Sequence, residues 1–311
     1  MGKVQLDVFA KSDVGRVRQS NEDNFLVSDL TNARVWKATD IGEPLSAVIT
    51  LEQGEAGVLL AVADGMGGAL AGEVASEIAV STVAERMLQF RDNPIISKFQ
   101  FSEKLRLAVE TANTIINRES RSNPEYRGMG STFTVSAIYK NKAYLGQIGD
   151  SRCYIMRLGE IVQITKDQSL VGQLVEAGYL TDDEAESHSC RNVILQALGP
   201  QPSIKVIVDC VELCDGDILL LCSDGLSGKV KRQEMLKIVE SASDLKSACE
   251  LLVYLANERG GEDNITVVLA RITGDELPKP SPDEMLKIEY VERDDGLPIG
   301  GIFMSDFEET M

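Results

Sequence analysis

Two stretches of the chain share one pattern. An apolar run is followed by Asp-Gly, and then come an apolar residue, any residue and a glycine. The two stretches are LLAVADGMGG (59–68) and LLLCSDGLSG (219–228). Each predicts a buried strand that carries one carboxylate, Asp64 or Asp224, at its C-terminal tip, and the following glycine lets the backbone turn sharply with its carbonyl free. Asp150 in GQIGDSR and Asp263 in GGEDNITVVLARI also flank apolar runs. A single Asp-Gly is typical of an ordinary turn, whereas four such aspartates indicate a shared site.

The chemistry of this donor set narrows the ligand to a hard cation. Clustered carboxylates in a partly buried site do not all stay ionised unless a cation neutralises them. The set is all oxygen, the chain has a single histidine, and no cysteine adjoins these aspartates. Oxygen ligands suit Mg²⁺ or Mn²⁺ better than zinc or copper. The sequence contains neither an EF-hand loop nor a Walker phosphate loop, so the aspartates predict a Mg²⁺ or Mn²⁺ centre.

A second group of charged residues lies near the N-terminus, in SDVGRVRQSNEDNF (12–25). There Arg16 and Arg18 stand close to Glu22 and Asp23. A guanidinium presents a planar fork that fits a phosphate, and paired carboxylates can orient water on a metal. Taken alone, the stretch is explained more simply as an exposed loop with surface ion pairs.

The elements that must position these residues are predicted from apolar runs of strand length, rich in Val, Ile, Leu and Thr. The predicted strands are 4–10, 24–29, 58–63, 131–139, 142–148, 152–158, 204–211, 217–222 and 265–272. Runs separated only by turn residues predict antiparallel hairpins, including one at Gly149-Asp150. Helical spacing predicts helices at 71–90, 102–120, 232–240 and 244–258. This order favours an α+β sandwich of sheets flanked by helices.

Two segments depart from this alternation of strands and helices. Residues 166–199 predict short helices at 169–177 and 181–187 and are expected to form a flap near the site; the alternative is a packed helical excursion with no gating role.

Residues 275–311 hold 11 acidic and three basic residues and four of the nine prolines, a composition typical of a flexible tail. The expected organisation is therefore a catalytic domain at 1–274 followed by this acidic tail.

Composition excludes several classes of function. Among the 311 residues, 31 basic residues against 49 acidic ones give a net charge of −18, which opposes binding to nucleic acid or to anionic membrane. No apolar run approaches the ~20 residues of a membrane span, and the N-terminus lacks a signal-peptide core. The six cysteines form no C-x-x-C pair, as expected for buried, reduced thiols. A cytoplasmic location is predicted.

The motifs together resemble a known family. The chain is similar over residues 4–273 to the metal-dependent serine/threonine protein phosphatases of type 2C, in their bacterial form. The motifs that carry the resemblance, in chain order, are R-x-x-N-E-D (18–23), A-D-G-M-G-G (63–68), G-S-T (130–132), G-D-S-R (149–152), S-D-G-L (223–226) and D-N-I-T (263–266). Each motif is weak alone, but six in the family's order make chance similarity very improbable.

The resemblance implies a fold and a role for each site residue. The fold would be a four-layer α-β-β-α sandwich of two mainly antiparallel sheets flanked by helix pairs. For the metals, the resemblance implies that Asp64 bridges two ions, that the Gly65 carbonyl binds the first ion and that Asp224 and Asp263 complete the site of the second ion. Asp150 would bind a weaker third ion. Arg18 would hold the substrate phosphate, and Glu22 and Asp23 would act through metal-bound water. The cofactors implied are two Mg²⁺ or Mn²⁺ ions and a weaker third.

The resemblance also implies a reaction. A hydroxide between the two ions would attack the phosphorus of phosphoserine or phosphothreonine in a protein substrate. The expected partners are phosphoproteins modified by a serine/threonine kinase, with no nucleic acid and no membrane, and the expected state is a monomer. A different two-metal hydrolase, such as a nuclease, is opposed by the acidic charge and the absence of basic or aromatic tracts.

Several positions depart from the family pattern. Met66 stands where animal members place a histidine, Gly228 where some members supply an aspartate to the third metal, and Gln168 where many bacterial members have a histidine. His188, the single histidine, is expected to cap a loop rather than to take part in catalysis. Residues 30–57 exceed the length that a minimal member needs. These departures leave an alternative open, a catalytically weak regulatory module of the same fold that binds phosphoproteins.

Overall fold

The computed structural model describes residues 4–38, 45–67, 71–93, 99–181, 184–185, 188–282 and 284–293. The strands are β1 Gln5–Asp13, β2 Asp23–Asp29, β3 Arg34–Lys37, β4 Ile49–Glu52, β5 Val58–Met66, β6 Gly130–Ser131, β7 Phe133–Tyr139, β8 Lys142–Ile148, β9 Arg152–Arg157, β10 Glu160–Gln163, β11 Ile207–Glu212, β12 Ile218–Cys222, β13 Ile265–Thr273 and β14 Ile288–Tyr290. The helices are α1 Ala71–Asp92, α2 Phe101–Ser122, α3 Leu170–Glu176, α4 Asp224–Ser227, α5 Arg232–Ser241 and α6 Leu245–Glu258, with a short 3-10 helix at Pro124–Tyr126.

Two antiparallel sheets form the centre of the molecule. The first sheet has the order β10-β9-β12-β13-β1-β4, and the second has the order β14-β11-β8-β7-β5-β2-β3, with β6 paired to β5. The longest pairing joins β1 to β13, with Gln5 opposite Thr273 and Asp13 opposite Ile265. Strands from the two ends of the chain thus lie side by side, which closes the domain.

The sheets have apolar faces, and burying these faces produces the layered arrangement of sheets and helices. One core cluster fills the space between the sheets and extends under α5 and α6, which cover the first sheet. A second cluster lies between the second sheet and the pair α1 and α2. The buried face of α1 is rich in small side chains such as Ala75 and Ala79, which let a helix approach a sheet closely. The predicted α+β sandwich of two antiparallel sheets flanked by helix pairs is confirmed.

The predicted hairpin at Gly149-Asp150 was wrong. Strands β8 and β9 do not pair with each other, because β8 belongs to the second sheet and β9 to the first. The hairpins β7–β8 and β9–β10 do form. Both have a two-residue turn that stays in one sheet, whereas the connection at 149–150 crosses from one layer to the other. Asp150 therefore lies at the end of the sandwich, between the sheets.

The strands that the sequence did not predict are edge strands. Strands β3 and β4, within the long segment 30–57, border the second and the first sheet respectively, and β14 borders the opposite edge of the second. These strands are short and poorly buried, so they lack the long apolar runs that mark central strands. Residues 39–44 of the long segment lie outside the described residues.

The first part of the predicted tail differs from the expectation of a flexible segment. Strand β14 pairs with β11, with Tyr290 opposite Asp209, and Leu277 is buried. Arg293 donates to Glu110 on α2 at 2.9 Å, and buried Arg106 donates to the carbonyl of Val291 at 2.9 Å. An open strand edge and a buried guanidinium thus provide partners that composition does not reveal. Residues 294–311 lie outside the described residues.

The cysteines and the helices bear on two other predictions. All six cysteines are free thiols, and five are buried, whereas Cys190 in the predicted flap is half-buried. Burial raises the pKa of the Cys222 thiol to about 12, so this group remains protonated at neutral pH. In the part of the chain that the structure describes, no helix is both long enough and apolar enough to cross a bilayer.

Candidate metal and phosphate site

The five aspartates that the sequence singled out come from both sheets and lie at one end of the sandwich. Asp64 near the end of β5 is directly opposite Asp23 at the start of β2. On the first sheet, Asp224 begins α4 immediately after β12, and Asp263 lies two residues before β13. Asp150 follows β8 at the crossing between the sheets. The antiparallel order brings the strand ends together, since the C-terminal tip of one strand lies beside the start of the next.

The electrostatics of Asp64 and Asp224 reflect this convergence. Burial, followed by the nearby charges of Asp23 and Asp224, raises the pKa of Asp64 well above its ordinary value. Burial and the charge of Asp263 raise the pKa of Asp224. Carboxylates that approach one another in a poorly solvated site favour their protonated forms unless a positive charge compensates them. The cluster therefore has a strong affinity for positive charge.

Asp23 and Asp150 titrate in the neutral range. Burial raises the pKa of Asp23 from 3.8 to about 7, although the hydroxyl of Ser223 donates to its Oδ2 at 2.7 Å and stabilises the charged form. Burial and the charge of Asp224 raise the pKa of Asp150 to about 7. In the metal-free protein, both carboxyls thus change charge near neutral pH.

The residues fit a hard divalent cation. Two buried carboxylate oxygens of the described residues, Oδ1 of Asp23 and Oδ1 of Asp224, have no hydrogen-bond partner. Such atoms are costly unless they meet a cation or water. Within the described ranges, no group of three or more His, Cys, Asp or Glu side chains is arranged to hold a metal ion with protein ligands alone. Mg²⁺ in proteins commonly keeps several waters and contacts one or two carboxylates, and this arrangement suits that mode of binding.

Arg18 lies at the rim of the carboxylate cluster. Its Nη2 donates to Oδ2 of Asp263 at 2.9 Å, with 51% of the arginine side chain exposed. This hydrogen bond and the charge of Asp263 raise the pKa of Arg18. Arg16, two residues earlier, instead pairs with Glu258 on α6. Of these two arginines, it is therefore Arg18, the one in the R-x-x-N-E-D motif, that pairs with an aspartate of the cluster.

Glu22 lies between Arg18 and helix α1. Burial raises the pKa of its carboxyl, and the charge of Arg18 opposes that rise. A Cβ atom at Gly72 would lie 2.3 Å from Oε2 of Glu22, and one at Gly65 would lie 2.1 Å from the carbonyl oxygen of Gly72. The carboxylate and the first turn of α1 therefore approach closely only because both positions are glycine. The sequence predicted a turn for Gly65 but gave no reason to select Gly72.

Asn264 is a residue beside the candidate site that the sequence analysis did not single out, although it stands in the D-N-I-T motif. Its Oδ1 accepts from the backbone N–H of Glu22 at 2.8 Å. Its Nδ2 donates to the carbonyls of Val14 at 2.9 Å and Ser20 at 3.0 Å. One buried amide thus joins the loop that carries Arg18 and Glu22 to the segment before β13 that carries Asp263.

Asn264→Ala is expected to lower the free energy of unfolding by about 1–3 kcal/mol, because it removes three hydrogen bonds to partly buried backbone groups. Urea denaturation measures this loss. Asn264→Asp retains the acceptor for Glu22 but loses the donors to Val14 and Ser20, so an intermediate loss is expected. Equal stability of all three proteins would contradict the assigned role of the amide.

Thr132 holds Asp64 in place and was also missed within its G-S-T motif. Its Oγ1 accepts from the backbone N–H of Asp64 at 2.9 Å, and its own N–H donates to the carbonyl of Asp64 at 2.8 Å. A further hydrogen bond of 2.8 Å joins Thr132 to Ser151 beside Asp150. Both hydroxyl-bearing residues lay inside quoted motifs, and this was the sequence signal that could have identified them.

The positions that depart from the family pattern have clear structural settings. Met66 ends β5 and is half-buried. Gly228 follows α4 and donates its N–H to the carbonyl of Asp224 at 2.7 Å, and with no side chain it adds no carboxylate. Nδ1 of His188 accepts from the N–H of Cys190 at 3.1 Å, which is the loop-capping contact that the sequence predicted. The predicted helix 181–187 falls partly on residues outside the described ranges.

Comparison with known proteins identifies the family. The model of the family "Protein phosphatase 2C" matches residues 46–268. The protein phosphatase PhpP of Streptococcus pneumoniae is 41% identical over 211 residues, covering 68% of this chain and 84% of its own. The serine/threonine phosphatase stp of Listeria welshimeri is 32% identical over 259 residues, covering 83% and 93% respectively.

A solved structure agrees with these sequence matches. The catalytic domain of the serine/threonine protein phosphatase PstP, determined in complex with two manganese ions, superposes with a TM-score of 0.69 at 34% identity, covering 87% of this chain and 99% of its own. The motif order, the two-sheet fold and the comparisons agree with one another. The chain belongs to the protein phosphatase 2C family of serine/threonine protein phosphatases.

Proposed function

We propose that this protein hydrolyses phosphoserine and phosphothreonine in protein substrates with the help of two Mg²⁺ or Mn²⁺ ions. The observation that carries the proposal is the cluster of Asp23, Asp64, Asp224 and Asp263, with two buried, unpartnered carboxylate oxygens and Arg18 at its rim. A site that concentrates negative charge does not bind a phosphate dianion by itself. It does so once cations have reversed its local charge.

The protein's own residues have distinct tasks in this proposal. Asp64, Asp224, Asp263 and the Gly65 carbonyl would hold the two ions, and Asp150 a weaker third. When bound, such ions supply a hydroxide nucleophile near neutral pH and offset charge on the phosphoryl oxygens. Asp23 and Glu22 would accept hydrogen bonds from water in the site and orient it, since their carboxyls lie beside the ion-binding group.

Arg18 would position the substrate. Its half-exposed guanidinium offers donors in a fixed fork, which suits the oxygens of a phosphate monoester. In this structure one donor contacts Asp263, so a phosphate would be held beside that carboxylate. No histidine stands at position 66, and we infer that water in the site delivers the proton to the serine or threonine leaving group.

The proposed partners are phosphorylated proteins, the products of a serine/threonine kinase. The net charge of −18 opposes polyanionic ligands such as nucleic acid, which supports a phosphoprotein substrate over a nuclease function. The relatives are named as serine/threonine phosphatases or protein phosphatases, which supports the same substrate class.

The decisive experiment measures phosphate release from phosphoserine, phosphothreonine and phosphotyrosine peptides by the chelator-treated full chain, with and without added Mn²⁺. We expect release from the first two peptides only when Mn²⁺ is present. A folded protein that binds phosphoproteins but shows no turnover in Mn²⁺ would instead support the regulatory module. In that case Asp64→Asn and Asp263→Asn would leave partner binding unchanged.

Arg18→Ala is expected to raise KM for a phosphopeptide at least about tenfold with a smaller effect on kcat, because a charge-assisted hydrogen bond is worth about 1.5–3 kcal/mol. Steady-state kinetics at saturating Mn²⁺ measures both parameters. Arg16→Ala is the matched control, since this neighbouring arginine pairs with Glu258. An equal rise in KM in the two variants would contradict the role assigned to Arg18.

A further inference from the structure

One side chain, Gln168 at the start of the predicted flap, holds the turn that carries Asp150. The N–H of Gly149 donates to Oε1 of Gln168 at 3.1 Å, and Nε2 of Gln168 donates to the carbonyl of Gln147 at 3.0 Å. The backbone N–H of Gln168 donates to the carbonyl of Gly149 at 2.8 Å. Both polar backbone groups of the residue before Asp150 are therefore bound by Gln168.

The same glutamine joins the beginning of the flap to its end. Nε2 of Gln196 donates to Oε1 of Gln168 at 3.0 Å, and the N–H of Leu195 donates to the carbonyl of Gln168 at 2.8 Å. Gln196 is fixed in turn by two hydrogen bonds of 3.0 Å with the backbone of Lys205. Gln168 thus lies where both ends of the flap meet the metal site.

The turn at Gly149 has little freedom of its own. Its φ of +92° is in the region that favours glycine, and a Cβ atom there would lie 2.7 Å from Cγ2 of Thr132. Thr132 in turn binds both backbone groups of Asp64. A shift of Gly149 would therefore change the position of Asp150 relative to Asp64.

We propose that Gln168 is a positioning residue that sets the location of Asp150 in the metal site and couples this location to the flap. The inference rests on the proposed function, since it assigns Asp150 to cation binding. A neutral amide suits the task because it supplies an acceptor for the N–H of Gly149 and a donor for the carbonyl of Gln147. An alanine supplies neither.

The test is Mn²⁺ binding to the chelator-treated full chain by isothermal titration calorimetry, together with kcat and the Mn²⁺ concentration for half-maximal activity. For Gln168→Ala we expect about tenfold weaker Mn²⁺ binding at the site that includes Asp150, the lower end of the effect seen when residues that orient ligands are removed. The affinity of the tighter Mn²⁺ sites, which do not include Asp150, should change less than about twofold. The value of kcat at saturating Mn²⁺ should also change less than about twofold.

Three further variants make the result specific. Gln168→Glu keeps the acceptor for the N–H of Gly149 but places a second acceptor against the carbonyl of Gln147. We therefore expect Gln168→Glu to weaken Mn²⁺ binding as Gln168→Ala does. Gln168→Glu replaces Gln168→Ala in the test if the alanine variant does not fold. Gln168→His offers one acceptor and one donor nitrogen and should restore binding. Gln163→Ala is the matched control, because Gln163 donates to Thr165 and Asp167 but not to the Gly149 turn.

A Gln168→Ala binding curve that superposes on that of the wild type would overturn the proposal, as would an equal loss in Gln163→Ala. These outcomes differ from failure of the proposed function. A wild-type chain that binds Mn²⁺ but releases no phosphate from phosphopeptides contradicts the phosphatase assignment, while the binding comparison among the variants still decides the role of Gln168.

Discussion

Asp64→Asn is expected to lower kcat by at least about 10³-fold, because even a single neutral donor to a transition state is commonly worth about 10²–10³, and Asp64 is proposed to contact both ions. The same change removes one charge from a buried cluster in which Asp23 and Asp224 raise the pKa of Asp64. The metal-free variant should therefore be as stable as the wild type or more stable. Phosphopeptide turnover in Mn²⁺ and thermal melting in chelator measure the two effects.

Asp217→Asn is the matched control for this variant. Asp217 is fully buried, and it accepts from Arg157 at 2.7 Å and from the N–H of Cys214 at 2.7 Å, away from the metal site. We expect it to lose stability and to keep nearly normal kcat, the opposite of Asp64→Asn. If Asp64→Asn retains turnover within about tenfold of the wild type, the central role of Asp64 is wrong.

The metal-free protein is expected to lose stability as the pH rises from 5 to 8. Asp23 and Asp150 have pKa values of about 7 in the folded protein against 3.8 ordinarily. Between these limits the folded state holds protons that the unfolded chain has released, so the free energy of unfolding falls with rising pH. The stabilisation that comes from the raised pKa values of these two carboxyls is fully present below about pH 4 and is lost once the pH passes about 7.

The expected size of this loss is about 2–4 kcal/mol for the coupled cluster, less than the sum for independent carboxyls. For a domain of this size it corresponds to a fall in Tm of about 5–15 °C. Saturating Mn²⁺ should reverse the trend, since the ion binds the ionised carboxylates of the folded state. Calorimetric melts at pH 5, 6, 7 and 8, in chelator and in Mn²⁺, provide the measurement. A chelator series with constant Tm would refute this prediction.

Much of the fold was predictable because its signals are local. Central strands such as β5 and β12 are apolar runs without interruption, since both of their faces are buried. The edge strands β3, β4 and β14 were missed because they are short and poorly buried, and such strands carry few apolar residues. The crossing at Gly149-Asp150 was mistaken for a hairpin because a glycine turn has the same sequence signature whether it joins neighbouring strands or different sheets.

The candidate site, like the fold, was predictable from the sequence only in part. The sequence by itself predicted a cation site, because several carboxylates clustered beside apolar strands do not all stay ionised unless a cation neutralises them. Only the tertiary structure decided which residues meet. The pairing of Asp23 with Asp64, the contact of Arg18 with Asp263 and the hydrogen bonds made by Asn264 and Gln168 all depend on contacts between distant parts of the chain. Those contacts are set by strand register and by the packing of one sheet on the other, which no local pattern encodes.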